Sequence, residues 1–465
     1  MTSTDAAPVA DARRRARTAA TSGFLGTTLE YYDFLIYGTA AALYFGPVFF
    51  PRSSYDTLLA LGSIGAAYAA RPFGAVVWGH LGDRIGRRRT LLAVLLTMGV
   101  ATFAVGCVPG AATIGAAAPV VLVLLRVVQG ISAGGEQAGS ALLALEHAPD
   151  DRRAFYTSWT QSGAQLGNVL AFAVFLPLAA LLPEGAMASW GWRIPFWSSA
   201  LVVVLTLVVR RRLAEPEVPG GARPGGGGTA IPIAVVLRDH RPAVVRVVVA
   251  SLCIAPAGLV NIFGLSYAAA VPGLGKPWML LVVTGSSLAM IATQPLFALL
   301  ADRIGRRPVF VVGALGSAAV IPLWLAAVRA GDRVGVFAGG LVLMAVFVAM
   351  TSGVLLATFL EMFPLEVRYS GMAVSFMLGI VVTGFVPAIA QSFVQGDPDG
   401  WAPIAWLFAA IMVAAAVAVA TGPENHRVPT AELGRRTPAP AGGPPHNSPP
   451  GRPELPVPTT PGDPR

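Results

Sequence analysis

Long apolar runs, broken at short intervals by polar or arginine-bearing stretches, dominate this chain. Windows of about 20 apolar residues, the length a helix needs to cross a bilayer, fall at 22–50, 57–79, 90–108, 119–145, 155–182 and 192–209. After a break they resume at 243–271, 278–300, 308–328, 334–363, 370–393 and 402–420. The pattern predicts an all-α membrane protein of twelve transmembrane helices in two six-helix bundles, residues 22–209 and 243–420. Residues 1–21 read as an N-terminal tail and 210–242 as the linker, where GGARPGGGG is too flexible to build a packed core. Residues 421–465, rich in proline and without apolar periodicity, are expected to be a disordered tail.

Composition agrees. Of 465 residues, 55% are hydrophobic and only 12% charged, against about 25% charged in soluble domains. Arginines cluster before the first window (Arg13, Arg14, Arg15, Arg17) and on alternate loops (Arg84 to Arg89, Arg152 and Arg153, Arg210 to Arg212, Arg303 to Arg307). Cytoplasmic loops retain positive charge, so both termini are expected in the cytoplasm and the protein in the cell membrane. The net charge of +9 then reports topology, and no nucleic-acid partner is expected. The first window is longer than the 7–15-residue core of a signal peptide and is read as a retained span. Cys107 and Cys253 have no metal-ligand or CxxC spacing. The five histidines are scattered, no Ser/His/Asp cluster is visible, and GGARPGGGG lacks the Lys and Ser/Thr of a phosphate loop. Enzymatic and ATP-driven functions are therefore not expected, and no cofactor is expected beyond a coupling proton.

DRIGRR occurs twice, at Asp83 to Arg88 and at Asp302 to Arg307, each time directly after the second window of its half. Such a repeat implies two parallel halves related by an axis along the membrane normal, and alternating access by rocking one against the other. GHLGDRIGRRR and its echo ALLADRIGRRP resemble the loop signature of the major facilitator superfamily. With EYYDF, ARPFG, RVVQGISAGGEQAG, WRIPF and EMFPLEVRYSG they resemble its metabolite:proton symporter branch, which includes carriers of alpha-ketoglutarate, citrate, shikimate and proline or glycine betaine. The resemblance implies that Asp83, Arg84, Arg87 and Arg88, and their counterparts Asp302, Arg303, Arg306 and Arg307, act in gating by stabilising the outward-facing state. It departs from the branch pattern at Thr27 and Tyr31, and no coiled coil follows the last window, which favours a small carboxylate over a betaine-type osmolyte.

Glu30 and Asp33 lie inside the first span, where an ionised acid costs roughly 2.5–3.5 kcal/mol. Helical rise puts Glu30 about 12 Å and Arg71 about 12 Å from the arginine-bearing surface, with Asp33 and Arg126 deeper. The depths match Glu30 with Arg71 and Asp33 with Arg126. If an anionic substrate takes over an arginine, the displaced acid is stranded and binds a proton. Charge balance thus points to proton–anion symport, with Asp33, Glu30 and Arg126 coupling the proton and Arg71 and Arg126 holding substrate; static ion pairs are the alternative. Thr157, Gln161, Gln165 and Asn168 share one face of the fifth helix, and Gln129 lies one turn past Arg126, all suited to lining a cavity or to binding neighbouring helices. Glu136, Glu361 and Arg368 fall at the cytoplasmic ends of spans, as gate pairs or as ordinary interfacial charges.

The expected function is proton-coupled symport of a small organic carboxylate or zwitterion, with the lipid bilayer and a small molecule as partners and a monomer as the working unit. The rivals are a proton-coupled sugar or drug exporter and a non-transporting receptor.

Overall fold

A computed structural model of the chain describes residues 6–51, 54–85, 87–134, 136–212, 232–269, 271–395, 400–430 and 432–433. All twelve predicted segments are helical, and no strand occurs among the described residues. In the first half, α1 (Ala6–Ala40) runs through a π-helical turn into Gly46–Phe49, followed by α2 (Asp56–Ile85) and α3 (Arg87–Cys107). Then come α4, in two pieces (Ala117–Ala133 and Glu136–His147), α5 (Arg153–Leu181) and α6 (Ile194–Arg212). The second half holds α7 (Arg241–Ala269), α8 (Lys276–Ile304), α9 (Arg306–Ala330), α10 (Arg333–Leu360), α11 (Arg368–Val394) and α12 (Trp401–Ala420). Among the described residues, α5 and α7 to α12 are each long and apolar enough to span a bilayer unaided, and α3 and α4 carry shorter apolar stretches. Outward-facing Leu96, Val100, Leu323, Trp406 and Val417 are exposed, as a lipid-facing surface requires.

Four boundaries differ from expectation, each for a local reason. The first helix starts at Ala6, because the alanine- and arginine-rich stretch ahead of residue 22 is itself a good helix former. Its Ala16 and Ala20 pack on Tyr156 at the start of α5. The fourth window is broken at Gly134, where a glycine pair weakens the helix. The linker contains a short amphipathic helix, Pro232–Asp239, while GGARPGGGG lies outside the described residues. Residues 421–430 and 432–433, the described part of the tail expected to be disordered, fold back over the bundle: Asn425, His426 and Thr430 are hydrogen-bonded to it, and Leu433 is buried. Proline-rich composition hid the short polar run GPENHRVPT, which finds its partners only in the folded structure.

Two glycine seams set the positions of the charged residues. A Cβ on Gly74 of α2 would strike the Ile131 carbonyl of α4, and one on Gly130 of α4 would strike the Ala67 carbonyl of α2. The two backbones are therefore in near contact, with Arg71 and Arg126 each within a turn or so of the seam. Gly163 and Gly167 of α5 likewise lie against the Phe24 and Thr28 carbonyls of α1.

The halves meet at both ends. At the arginine-rich end, Asp302 of α8 accepts from the Ala154 and Phe155 amides that open α5. At the other end, Gln395 donates to the Ser54 carbonyl at 2.6 Å, and Lys276 pairs with Glu184 at 3.4 Å. Between them, Ile262 covers Gly38 and Phe385 covers Gly65.

Candidate functional site

Glu30, Asp33, Phe34 and Tyr37 fall three, four and seven residues apart, which puts all four on one face of α1. That face meets Arg71 of α2 and Arg126 of α4. Arg71 Nη2 lies 3.1 Å from Glu30 Oε1, and both side chains are 2% exposed. The pairing inferred from depth is therefore present for these two.

For the other two it is not. Asp33 and Arg126 are both fully buried, yet they form no direct ion pair. The Thr102 hydroxyl is within hydrogen-bonding reach of the Asp33 carboxylate, and Arg126 and Glu30 act on it electrostatically from close by. Arg126 instead donates from Nη1 to Gln129 Oε1 at 2.9 Å, and Gln129 Nε2 donates to Thr102 Oγ1 of α3 at 2.7 Å. Its Nε and Nη2 are unfilled. Those two nitrogens form one of the edges by which a guanidinium grips a carboxylate. Depth along a helix places a residue in only one dimension; the Gln129 tether that turns Arg126 aside could have been suspected from their i,i+3 spacing.

Aromatic rings cover the guanidinium faces. Tyr37 lies 3.8 Å from Arg126 Cζ and Tyr68 lies 4.5 Å from Arg71 Cζ, while Phe34 reaches both, at 4.3 Å for Arg71 and 5.0 Å for Arg126. Sequence reasoning passed over Phe34, Tyr68 and Thr102, since aromatics and threonines in spans ordinarily pack. The spacing of Phe34 and Tyr37 from Glu30 was the available signal.

Thr157, Gln161, Gln165 and Asn168 are all buried on α5. Their face is opposite the glycines that touch α1, and it includes Ala154, which clusters with Ala298 of α8 and Ala357 of α10. The polar stripe therefore looks toward the second half. Asn168 donates to Gln165 at 3.2 Å; these two bond each other and not the arginines.

At the arginine-rich end, Glu361 is 2% exposed and its Oε1 takes Arg153 Nε of the first half and Arg306 Nη2 of the second, each at 3.2 Å. Arg306 also pairs with Asp302 at 2.9 Å. Glu424 accepts from the Arg306 and Arg307 amides that open α9, at 3.1 and 2.8 Å, and Arg307 bonds the Ala420 carbonyl. Arg368 donates to Phe363 O and to Thr430 O. Thr430 in turn bonds Asp150 and accepts from Arg153. Arg303 is exposed. Glu361 thus sits inside an ion-pair network and is not a solvated interfacial charge. The side chains of Asp83, Arg84, Arg87, Arg88 and Glu136 lie outside the described residues. Arg153, Glu424 and Thr430 were not singled out by sequence: Arg153 counted only as a topology charge, and the other two lay in the tail.

Comparison with known proteins completes the description. Residues 19–219 match the family described as sugar (and other) transporter, and residues 254–450 match the major facilitator superfamily. The chain is 36% identical over 416 residues to the shikimate transporter of Escherichia coli strain K12, covering 87% of this chain and 94% of that protein. It is 30% identical over 440 residues to the proline/betaine transporter of Salmonella typhimurium, covering 91% and 86%. Among solved structures, the proton:xylose symporter XylE bound to a bromodeoxyglucose aligns with a TM-score of 0.70 at 18% identity, over 89% of this chain and 97% of that one. At that identity the likeness speaks for the fold.

Proposed function

Because the chain belongs to the major facilitator superfamily, as a multi-pass cell-membrane transporter and not an enzyme, we propose that it is a proton-coupled symporter of a small organic carboxylate or zwitterion. One observation supports this reading: a fully buried arginine with an unfilled bidentate edge lies near a fully buried carboxylate that no cation pairs directly. A substrate carboxylate bound at Nε and Nη2 of Arg126 neutralises that charge. Asp33 is then no longer balanced by Arg126, and protonation removes the cost of its burial. Substrate and proton are bound together because each removes the electrostatic cost of the other. Glu30 and Arg71, already paired, hold α1 against α2. Relatives that carry shikimate and proline or betaine by name support a carboxylate-bearing substrate.

Alternating access follows from the contacts between halves. The arginine-rich end, taken as cytoplasmic from the loop charges, closes through Arg153, Glu361, Asp302 and Arg306; the opposite end closes through Gln395 and Lys276. With both ends in contact, the charge site lies in an occluded arrangement, and opening either end breaks a specific set of bonds.

The test is uptake into proteoliposomes under an inward proton gradient, with shikimate, alpha-ketoglutarate, glycine betaine, sugars and cationic dyes as candidates. Gradient-driven accumulation of a carboxylate, lost in Asp33→Asn while counterflow persists, is the expected result. Full proton-driven accumulation by Asp33→Asn refutes the coupling role, and accumulation of sugars or dyes alone replaces the substrate class.

A further inference from the structure

Two buried guanidinia share a single ring. Phe34 follows Asp33 directly on α1, with its ring centre 4.3 Å from Arg71 Cζ and 5.0 Å from Arg126 Cζ. Tyr37, the second ring on Arg126, is tied through its hydroxyl to Ser63 at 2.6 Å. Phe34 has no polar tie and is located by packing, edge-on to Tyr68 at 5.6 Å. Arg126 and Asp33 are close enough to act on each other but are not directly paired, and Arg126 keeps an unfilled hydrogen-bonding edge. Opposite charges so placed attract strongly away from water, so something holds Arg126 off Asp33. The Gln129–Thr102 chain restrains one terminal nitrogen. The two rings restrain the guanidinium plane, and Phe34 does so while also attracting Arg71, which repels Arg126.

We propose, building on the symporter reading, that Phe34 is a positioning residue. By lying against both guanidinia it keeps Arg126 off Asp33, so that the arginine edge stays open to substrate and the Asp33 oxygens to a proton.

Tyr68 extends this control to the second half. It touches Phe34, and it also lies against Gly384 of α11 so closely that a Cβ there would meet Tyr68 Cβ and Cγ at 2.5 Å. Movement of α11 against α2 therefore displaces Tyr68, and Phe34 moves with it. Arg126 is then released onto Asp33, which expels the proton and the substrate together. The groups that face Asp33 are Arg126 from α4, Thr102 from α3, and Glu30 and Tyr32 from α1 itself. Arg126 is faced in turn by Arg71, Tyr37 and Tyr68.

The experiment reconstitutes wild type, Phe34→Leu and Phe34→Trp in proteoliposomes, with a mixture of radiolabelled shikimate, alpha-ketoglutarate and glycine betaine as probe. Gradient-driven accumulation, half-saturating concentration and counterflow are each measured across pH. Phe34→Leu is expected to lose about tenfold in accumulation and to raise the half-saturating concentration by a similar factor, the scale of one desolvated cation–π contact. Its pH profile moves to more acid values, because Arg126 now occupies Asp33, while counterflow at saturating probe persists. Phe34→Trp, which keeps a ring, stays within about twofold of wild type. Gly384→Ala, which displaces Tyr68 without touching α1, gives the same acid shift. A Phe34→Leu or Gly384→Ala protein with the wild-type pH profile overturns the proposal, as does a parallel fall of accumulation and counterflow. If wild type accumulates none of the probes with protons, the symporter reading fails and takes this inference with it. If wild type does so and Phe34→Leu is indistinguishable from it, the inference alone fails.

Discussion

Glu361→Gln tests how the arginine-rich end is held shut. Glu361 joins the halves through a single oxygen, 3.2 Å from Arg153 on one side and 3.2 Å from Arg306 on the other. At an effective dielectric constant of about 20, a pair at that separation attracts by roughly 5 kcal/mol before solvation is counted. Removing one partner of a buried pair costs about 3–5 kcal/mol, because the other charge is left uncompensated. Here the loss is smaller. Arg306 keeps Asp302 at 2.9 Å, and Arg153 keeps Asp150 at 4.0 Å together with the Asn425 and His426 carbonyls. Glutamine also still accepts one hydrogen bond. The closed end should therefore lose about 2–3 kcal/mol relative to the open one, a shift of about 30- to 150-fold in their ratio. Spin labels at Arg152 and Leu365, both exposed and on opposite halves, read the outcome as a distance distribution. A new population at longer distance is expected in Glu361→Gln. A distribution matching wild type would refute the claim that this carboxylate bears the closure energy. Adding Arg153→Gln should cost less than the two single changes summed, since the shared interaction is lost only once.

Four further outcomes follow from the same contacts. Glu30→Gln strands Arg71 and should lower stability by about 3–5 kcal/mol, seen as a fall in melting temperature in detergent that Arg71→Met partly restores; an unchanged melting temperature would mean the pair contributes nothing. Asp33→Asn keeps the side-chain shape and an oxygen that can still accept from Thr102, so its melting temperature should fall less than that of Glu30→Gln, whose arginine is directly paired, while coupling is lost. Thr430→Val cuts the side-chain bonds to Asp150 and Arg153 while the backbone amide stays on Asp150, and should open the arginine-rich end by about 1–2 kcal/mol, a smaller shift of the same spin-label distribution than Glu361→Gln gives. Gly130→Val drives a side chain into the Ala67 carbonyl; because backbone cannot rotate aside, a cost of about 3 kcal/mol or more is expected, measured as loss of folded protein in a size-exclusion assay.

How much of this was legible in the sequence depends on the dimension in which each residue is fixed. Apolar length sets helix number, so twelve windows gave twelve helices, with errors only at ends such as Ala6 and at the glycine pair after Ala133. Depth along the membrane follows from helical rise, and it paired Glu30 with Arg71 correctly. Rotation about the helix axis and side-chain torsion do not follow from rise. Arg126 was matched to Asp33 by depth yet turns to Gln129 and to two rings, a choice on which depth says nothing and at which only the i,i+3 spacing of Arg126 and Gln129 hints. The start of the tail was misjudged for a related reason. Proline content forecasts the absence of regular structure, and the described residues 421–430 hold no helix or strand, but Glu424 and Thr430 need none to bond the starts of α9 and α5.

The two acids that share one helix face thereby differ in chemistry through their neighbours, not their depth. Glu30 is neutralised by Arg71 at 3.1 Å, so its charge is balanced whatever else binds. Asp33 has an equally buried counter-charge nearby that is diverted elsewhere, and its balance depends on what occupies Arg126. On the proposed symporter reading, the group whose balance depends on occupancy is the one that links proton to substrate. The same test separates the arginines. Arg71 is paired with Glu30 and lies against Phe34, while Arg126 carries the open edge. A four-charge cluster with no net charge can therefore hold one structural pair and one responsive pair. The difference between them reduces to where one phenyl ring and one glutamine place a guanidinium.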